Sequence, residues 1–190
     1  MIQQFDFAIL DWIQANLKCD FLDFLMPKIT LLGEYGIFLI LIGAVLLLWR
    51  SHRVCGIAVL SGLAGGFVIG NILLKNLAAR SRPCWINSDI AMLVAVPTDY
   101  SFPSGHTLHC FIAATVLMHY DRRLGIPAVG IATMVAFSRL YLYVHFPTDV
   151  FAGAVLGVGI GFITVCLIEA IKKRKDRIKS RRQYESVNDY

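Results

Sequence analysis

Charge is scarce in this 190-residue chain: Asp, Glu, Lys and Arg together make up 16% of it, against about 25% in an average soluble domain. No internal repeat, low-complexity tract or Gly/Ser linker interrupts it. Its five cysteines, at 19, 55, 84, 110 and 166, are scattered and odd in number, with no CxxC or metal-ligand spacing. That pattern excludes a small disulfide scaffold and leaves the thiols to pack as small apolar groups. The N-terminus carries Asp6 and Asp11 in place of a basic n-region, so no secretory signal is expected.

Apolar side chains fill the gap, at 57% of the sequence with a mean hydropathy of +0.64. Such a composition excludes a disordered chain and indicates a membrane protein. The length suits one domain. At about 1.5 Å per helical residue it suffices to cross a hydrocarbon layer of about 30 Å several times.

Charge is expensive at bilayer depth, so charge-free runs locate the spans. Residues 54–74, 100–120 and 150–168 are long enough to cross. Residues 35–49 and 124–138 are shorter and need tilt or snorkelling flanks. A sixth span, 19–32, contains Asp20, Asp23 and Lys28, yet Phe21, Leu22, Phe24, Leu25, Ile29 and Leu32 keep helical spacing. Before it, residues 4–17 place Phe5, Ile9, Trp12 and Ile13 on one face and Asp11 on another, which suits a helix lying in the interface. The expected fold is therefore all-α: an integral membrane bundle of six transmembrane helices with an N-terminal interfacial amphipathic helix.

The net charge of +5 is unevenly spread. Residues 172–182 hold eight Lys or Arg against Asp176, whereas residues 1–171 contain ten basic and ten acidic side chains. This divides the chain into a membrane-embedded domain, 1–171, and a basic cytoplasmic tail, 172–190. A basic block can touch nucleic acid, but directly after an apolar helix it reads as an anchor near anionic headgroups, so no nucleic-acid partner is expected. Arg50 and Arg53 follow the second span, Arg122 and Arg123 the fourth, and the tail the sixth. Six spans with both termini cytoplasmic satisfy the positive-inside rule. The third and fifth connections then face outward, and residues 83–102 form the longest of them. Gly62, Gly66 and Gly70, and again Gly153, Gly157 and Gly161, repeat every fourth residue and make smooth stripes for close helix packing. Such stripes serve packing within or between chains, so they leave the oligomeric state open.

Three polar groups interrupt this apolar background, all at span ends on the expected outer side. Lys75 and Arg82 are seven residues apart, which on a continuous helix sets them within about 20° of one face. Arg80 would point about 140° away from Lys75, as a solvated or headgroup-facing charge. Pro83 biases Arg82 out of the helical region and ends the span. The second group, Phe102-Pro103-Ser104-Gly105-His106, is a turn opening a helix. Its unpaired N–H groups and helix dipole suit an anion, although a Ser-Gly there is also an ordinary N-cap. The third is Ser138-Arg139, then His145 and Asp149 around Pro147. Proline suits the first helical turn, which puts His145 just before the last span and Asp149 within reach of it. A carboxylate on one ring nitrogen presents the other as nucleophile or base, and also makes a simple structural hydrogen bond. Taken together, Lys75, Arg82 and Arg139 beside two histidines would repel one another without a central anion. Phosphate fits: guanidinium forks match its oxygens, and lysine adds a point charge.

At these residues the sequence resembles the type 2 phosphatidic acid phosphatase superfamily. Its signature is Lys, six residues, Arg-Pro; then Pro-Ser-Gly-His; then Ser-Arg, five residues, His, three residues, Asp. Lys75…Arg82-Pro83, Pro103-Ser104-Gly105-His106 and Ser138-Arg139…His145…Asp149 match it in order. The resemblance implies a metal-independent phosphoric ester or diphosphate hydrolase, with no cofactor, working through a phosphohistidine. It makes His145 the nucleophile, Asp149 its orienting partner and His106 the acid and later base. Lys75, Arg82, Arg139, Ser104 and the Gly105 backbone would hold the phosphate. His109 is expected to be packed, His52 and His119 to lie on the inner side, and Trp85, Tyr141 and Tyr143 to sit in an interfacial belt.

The expected substrate is a lipid phosphate whose chain stays in the bilayer: phosphatidylglycerol phosphate, undecaprenyl diphosphate or phosphatidic acid. Compact length and short loops suit a bacterial cell-membrane enzyme with an extracytoplasmic site. The alternatives are a vanadate-dependent haloperoxidase-like enzyme and a non-catalytic phospholipid or anion carrier. The 90–96 stretch of the long connection is a candidate cover for the entrance.

Overall fold

A computed structural model describes residues 2–188, apart from the side chains of Tyr35, in the second expected span, and of residues 182–188. Arg182 of the basic block and residues 189–190 of the expected tail thus lie outside the described side chains or residues. The described chain is helical, with no strand. In order it forms α1 (Ile2–Asn16), α2 (Asp20–Leu31), α3 (Ile37–Leu48), α4 (Arg53–Gly66), α5 (Lys75–Ala78), α6 (Pro83–Ile86), α7 (Gly105–Tyr120), α8 (Arg122–Tyr141) and α9 (Pro147–Asn188). A π-helical segment, Phe67–Leu74, joins α4 to α5. Helices thus stand at each of the six expected spans. Among the described residues, three stretches are long and apolar enough by themselves to cross a membrane: Arg53–Ile86, Arg122–Tyr141 and Pro147–Arg181.

α7 is the buried axis of the bundle. Leu108, Ile112 and Val116 on it have no exposed surface. Both glycine stripes pack against it, as their spacing suggests. A Cβ on Gly62 would come within 2.8 Å of Ile112 Cγ2, and one on Gly70 within 3.0 Å of Leu108 Cδ2. From the other side, a Cβ on Gly153 would lie 2.8 Å from the Ser104 carbonyl and one on Gly157 2.6 Å from that of Leu108. Backbone packed on backbone leaves no room for a side chain, and it fixes the second and third turns of α9 against the start of α7. The outward faces carry Phe67, Leu73, Phe151, Val155 and Phe162, exposed apolar groups where a water-soluble bundle places charge.

α1 departs from the expected pattern. Asp6, Leu10 and Ile13 form its buried face, while Phe5 and Trp12 are exposed. The reason is polar: Asp6 is wholly buried because Arg80 and Thr148 both bond to it. Tyr141 and Tyr143 also leave the expected belt. They are 2% and 1% exposed, and their hydroxyls donate to Asp23 (2.6 Å) and Asp11 (3.0 Å), fastening the end of α8 to α2 and α1. Trp85 remains partly exposed and donates its indole N–H to the Pro97 carbonyl at 2.9 Å.

The two ends of the bundle differ in chemistry. At one end His52 Nε2 meets Asp121 Oδ2 at 3.4 Å, joining the connection before α4 to the one before α8, beside Arg53, Arg122 and Arg123. The other three polar groups gather at the opposite end of α7. α9 continues without a break across residues 171 and 172, so the basic block is helical.

Candidate active site

Lys75 and Arg82 converge, though not on one helix face. α5 stops at Ala78; Ala79 turns left-handed at φ 43° and ψ 37°, and Arg82 is extended at ψ 152°. Pro83 does not terminate the long helix but opens the short α6, its lack of an N–H being harmless at a first turn. Through this loop Arg82 becomes one of the largest fully buried side chains. Its Nη1 donates to the Val144 carbonyl (2.8 Å) and to His145 Nε2 (3.1 Å), its Nε to the Asp99 carbonyl (2.7 Å) and its Nη2 to Asp99 Oδ1 (2.7 Å). Lys75 Nζ pairs with the other oxygen of Asp99.

A guanidinium only donates, so His145 Nε2 must accept, and the proton of the neutral ring sits on Nδ1. Nδ1 faces Ser101 Oγ at 3.4 Å, and that hydroxyl in turn donates to Asp149 Oδ2. Asp149 itself lies 3.7 Å from Nδ1, too far for a direct hydrogen bond, so Ser101 links the two. The lone pair of Nε2 is thereby aimed at the cations. Burial first, then Arg82, Arg139 and Lys75, hold the His145 imidazole well below its usual range against a smaller pull from Asp99, which keeps it neutral and nucleophilic.

Asp149 is fully buried and held on both oxygens. Oδ2 accepts from Ser101 and from the Phe146 N–H (2.9 Å), while Oδ1 accepts from Arg80 Nη1 at 2.5 Å. Arg80 therefore is not the solvated charge its sequence position suggests. It bridges Asp149 to Asp6 Oδ2 (2.6 Å) and Thr148 Oγ1 (2.7 Å), with its guanidinium 4.1 Å from the centre of the Phe146 ring. The helical projection failed because the helix ends at Ala78, before Arg80 is reached.

His106 occupies the first turn of α7. Its Nε2 is buried without a hydrogen-bond partner, and the ionisable groups acting on it include Arg139, His145, Lys75 and Arg82. Arg139 is 5% exposed; its Nη1 donates to Thr30 Oγ1 at 2.6 Å, and its Nε has no partner. Ser104 is buried with Oγ 2.9 Å from Thr107 Oγ1, so its side chain does not cap α7; its N–H donates to the Asp149 carbonyl at 3.1 Å. Gly105 follows at the helix start, where a Cβ would meet the Asn71 side chain at 3.3 Å. His109 is buried one turn further on and lines an apolar cavity of about 430 Å³ with Gly36, Ile40, Leu63 and Phe67, apart from the charged cluster.

All eight residues singled out from the sequence thus lie around the N-terminal end of α7, tied together by hydrogen bonds or electrostatic coupling. Asp99, Ser101, Arg80, Asp6 and Thr148 join them from outside the motifs. An acid inside the long connection, residues 83–102, in a chain with buried cations, was the available signal for Asp99; none marked Asp6. No group of three or more His, Cys, Asp or Glu among the described residues is arranged to hold a metal ion.

Residues 53–173 match the PAP2 superfamily pattern. The chain belongs to that superfamily. It is 34% identical over 140 residues to an undecaprenyl-diphosphatase of Sulfolobus acidocaldarius, covering 72% of this chain and 68% of that one. To phosphatidylglycerophosphatase B of Bacillus subtilis it is 31% identical over 171 residues, covering 80% and 78%. Among solved structures, the transmembrane PAP2 type phosphatidylglycerolphosphate phosphatase of Bacillus subtilis superposes with a TM-score of 0.73 at 30% identity, covering 90% of this chain and 87% of that one. The PAP2 relatives and the apolar helices together make this chain a membrane lipid phosphatase, a phosphoric ester or diphosphate hydrolase.

Proposed function

We propose that this PAP2 lipid phosphatase removes a terminal phosphate from a membrane lipid through a phosphohistidine on Nε2 of His145. The observation that carries the reading is the Arg82–His145 contact, which fixes Nε2 as the lone-pair nitrogen and aims it into the cationic cluster. Nε2 attacks phosphorus, the bond to the leaving oxygen breaks, and His106 gives that oxygen its proton. His106 then takes a proton from water as the water displaces the histidine, releasing inorganic phosphate and restoring both rings. Asp149, through Ser101, stabilises the ring as it becomes positive. Lys75, Arg82, Arg139, Ser104 and the Gly105 N–H hold the non-bridging oxygens, where charge stabilisation governs phosphoryl transfer. No metal has a step in this scheme.

Six spans, with the N-terminal helix at the interface and both termini cytoplasmic, would put the site on the extracytoplasmic side. The arginines that open α4 and α8, gathered at the bundle end opposite the site, support that orientation. The relatives act, by their names, on a prenyl diphosphate and a glycerophospholipid phosphate. Undecaprenyl diphosphate and phosphatidylglycerol phosphate are thus the first substrates to test, with phosphatidic acid the third.

Phosphate release from those three lipids by purified protein tests the reading. His145→Gln is expected to lower kcat by at least about 10⁴-fold while insertion and lipid binding persist, and excess chelator is expected to leave the wild-type rate unchanged. Full turnover in the variant, or strict dependence on a divalent metal, overturns the mechanism. Lipid binding without phosphate release by the wild type would mark a carrier.

A further inference from the structure

The cations gathered for a phosphate already have an anion of their own. Asp99 offers one carboxylate oxygen to Lys75 and the other to Arg82, and its carbonyl takes a third donor, Arg82 Nε. The partners differ in freedom. Lys75 and Arg82 side chains are 8% and 2% exposed, whereas that of Asp99 is 52% exposed, on an irregular segment before α7. The acid is the member able to leave. In the same cluster, His106 Nε2 and Arg139 Nε are buried without hydrogen-bond partners, polar atoms that Asp99 does not occupy.

We propose that Asp99 is an internal competitor for the phosphate seat: lipid phosphate binds by displacing its carboxylate from Lys75 and Arg82, and its return helps expel inorganic phosphate. This rests on the phosphatase reading above and adds the residue that sets affinity for the phosphate group. Two like-charged anions cannot share the same two donors, and repulsion between carboxylate and phosphate in a partly dehydrated site is strong. The grip on Asp99 is firm as well. Burial pushes its carboxyl up, but the Lys75 hydrogen bond and the Arg82 and Lys75 charges outweigh this and hold it at about 2, so it competes as a full anion at neutral pH. A site without such a competitor would bind product phosphate tightly and release it slowly.

Inorganic phosphate binding to purified wild type, Asp99→Asn and Asp99→Glu, measured by calorimetry without turnover, separates competition from support. Competition predicts that Asp99→Asn binds phosphate roughly tenfold more tightly or better, the loss of one charge-assisted contact. Its KM for lipid falls, and kcat falls where phosphate release is limiting. Asp99→Glu, which keeps the charge, gains less phosphate affinity than Asp99→Asn. If Asp99 only props the cations in place, Asp99→Asn binds phosphate as weakly as wild type or more weakly and KM rises; that result overturns the proposal, as does phosphate binding to none of the three proteins. Tighter binding by Asp99→Asn in a protein that hydrolyses no lipid phosphate would instead remove the phosphatase reading and leave the competition standing.

Discussion

Arg80 shows how much of the proposed catalytic geometry is built by residues outside the signature. Asp149 reaches His145 by way of a serine, and its position is set by Arg80 on one oxygen and by Ser101 and the Phe146 N–H on the other. Arg80 is fixed by Asp6 of α1, whose carboxylate also accepts the N–H (3.1 Å) and hydroxyl (2.7 Å) of Thr148. Removing the guanidinium leaves two buried carboxylates without their shared counter-charge and frees Asp149 Oδ1 from its partner, so Asp149 should shift out of place. Arg80→Gln is therefore expected to lower kcat roughly tenfold to a hundredfold with KM little changed, an effect typical of groups that orient a reacting residue. Arg80→Lys should recover part of the loss, because it restores the charge without the fork. Equal losses in the two variants, or a change confined to KM, would count against a positioning role. The signature residues were legible because each motif is local in sequence. Asp6, Arg80 and Asp149 were not legible as a unit, since residues 6, 80 and 149 meet only after the chain folds.

At the scale of helices, spacing rules worked wherever the helix was continuous and failed where it ended. The glycine stripes of α4 and α9 lie on faces packed against α7, as their four-residue repeat indicates. His145 before α9 and Asp149 in its first turn follow from Pro147 at the first helical position. The angle drawn from Lys75 to Arg82 brought the right residues together for the wrong reason, because the left-handed turn at Ala79 intervenes. For α1, the amphipathic face missed Asp6, a charge that is buried only because distant partners neutralise it. The close contact of α9 with α7 carries its own test. A methyl on Gly157 would stand 2.6 Å from the Leu108 carbonyl and 2.8 Å from Phe111 Cβ, neither of which moves cheaply, whereas one on Gly159 meets nothing within 4 Å. Gly157→Ala should destabilise the detergent-solubilised protein by about 1–3 kcal/mol through overpacking. Gly159→Ala should be neutral or slightly stabilising, since alanine is the better helix former. Thermal unfolding of the two variants checks this, and a Gly157→Ala protein as stable as wild type would show that the α7–α9 contact is looser than described.

For the whole molecule, the distribution of charge along the chain carries the argument about sidedness. Residues 1–171 hold ten basic and ten acidic side chains, so their formal charge cancels, and the positive excess lies in the extension of α9 beyond Ile171. Arg53, Arg122 and Arg123 gather at the bundle end joined by His52 and Asp121, and the cationic cluster proposed to capture phosphate gathers at the other. If anionic headgroups of the cytoplasmic leaflet hold the basic end, the proposed site would open outward, together with the long connection that carries Trp85 and Asp89. Cysteine accessibility resolves this directly. Cys19 and Cys166 are exposed and Cys55, Cys84 and Cys110 are buried, so replacing the exposed pair with serine gives a quiet background. Cysteines placed at Asp89, Arg123 and Lys173, all exposed, then report the two ends separately. In intact cells a membrane-impermeant thiol reagent should label position 89 and spare 123 and 173 until the membrane is opened. Labelling of 123 or 173 from outside would reverse the orientation and place the phosphate cluster toward the cytoplasm, while the hydrogen bonds that build it would be unaffected.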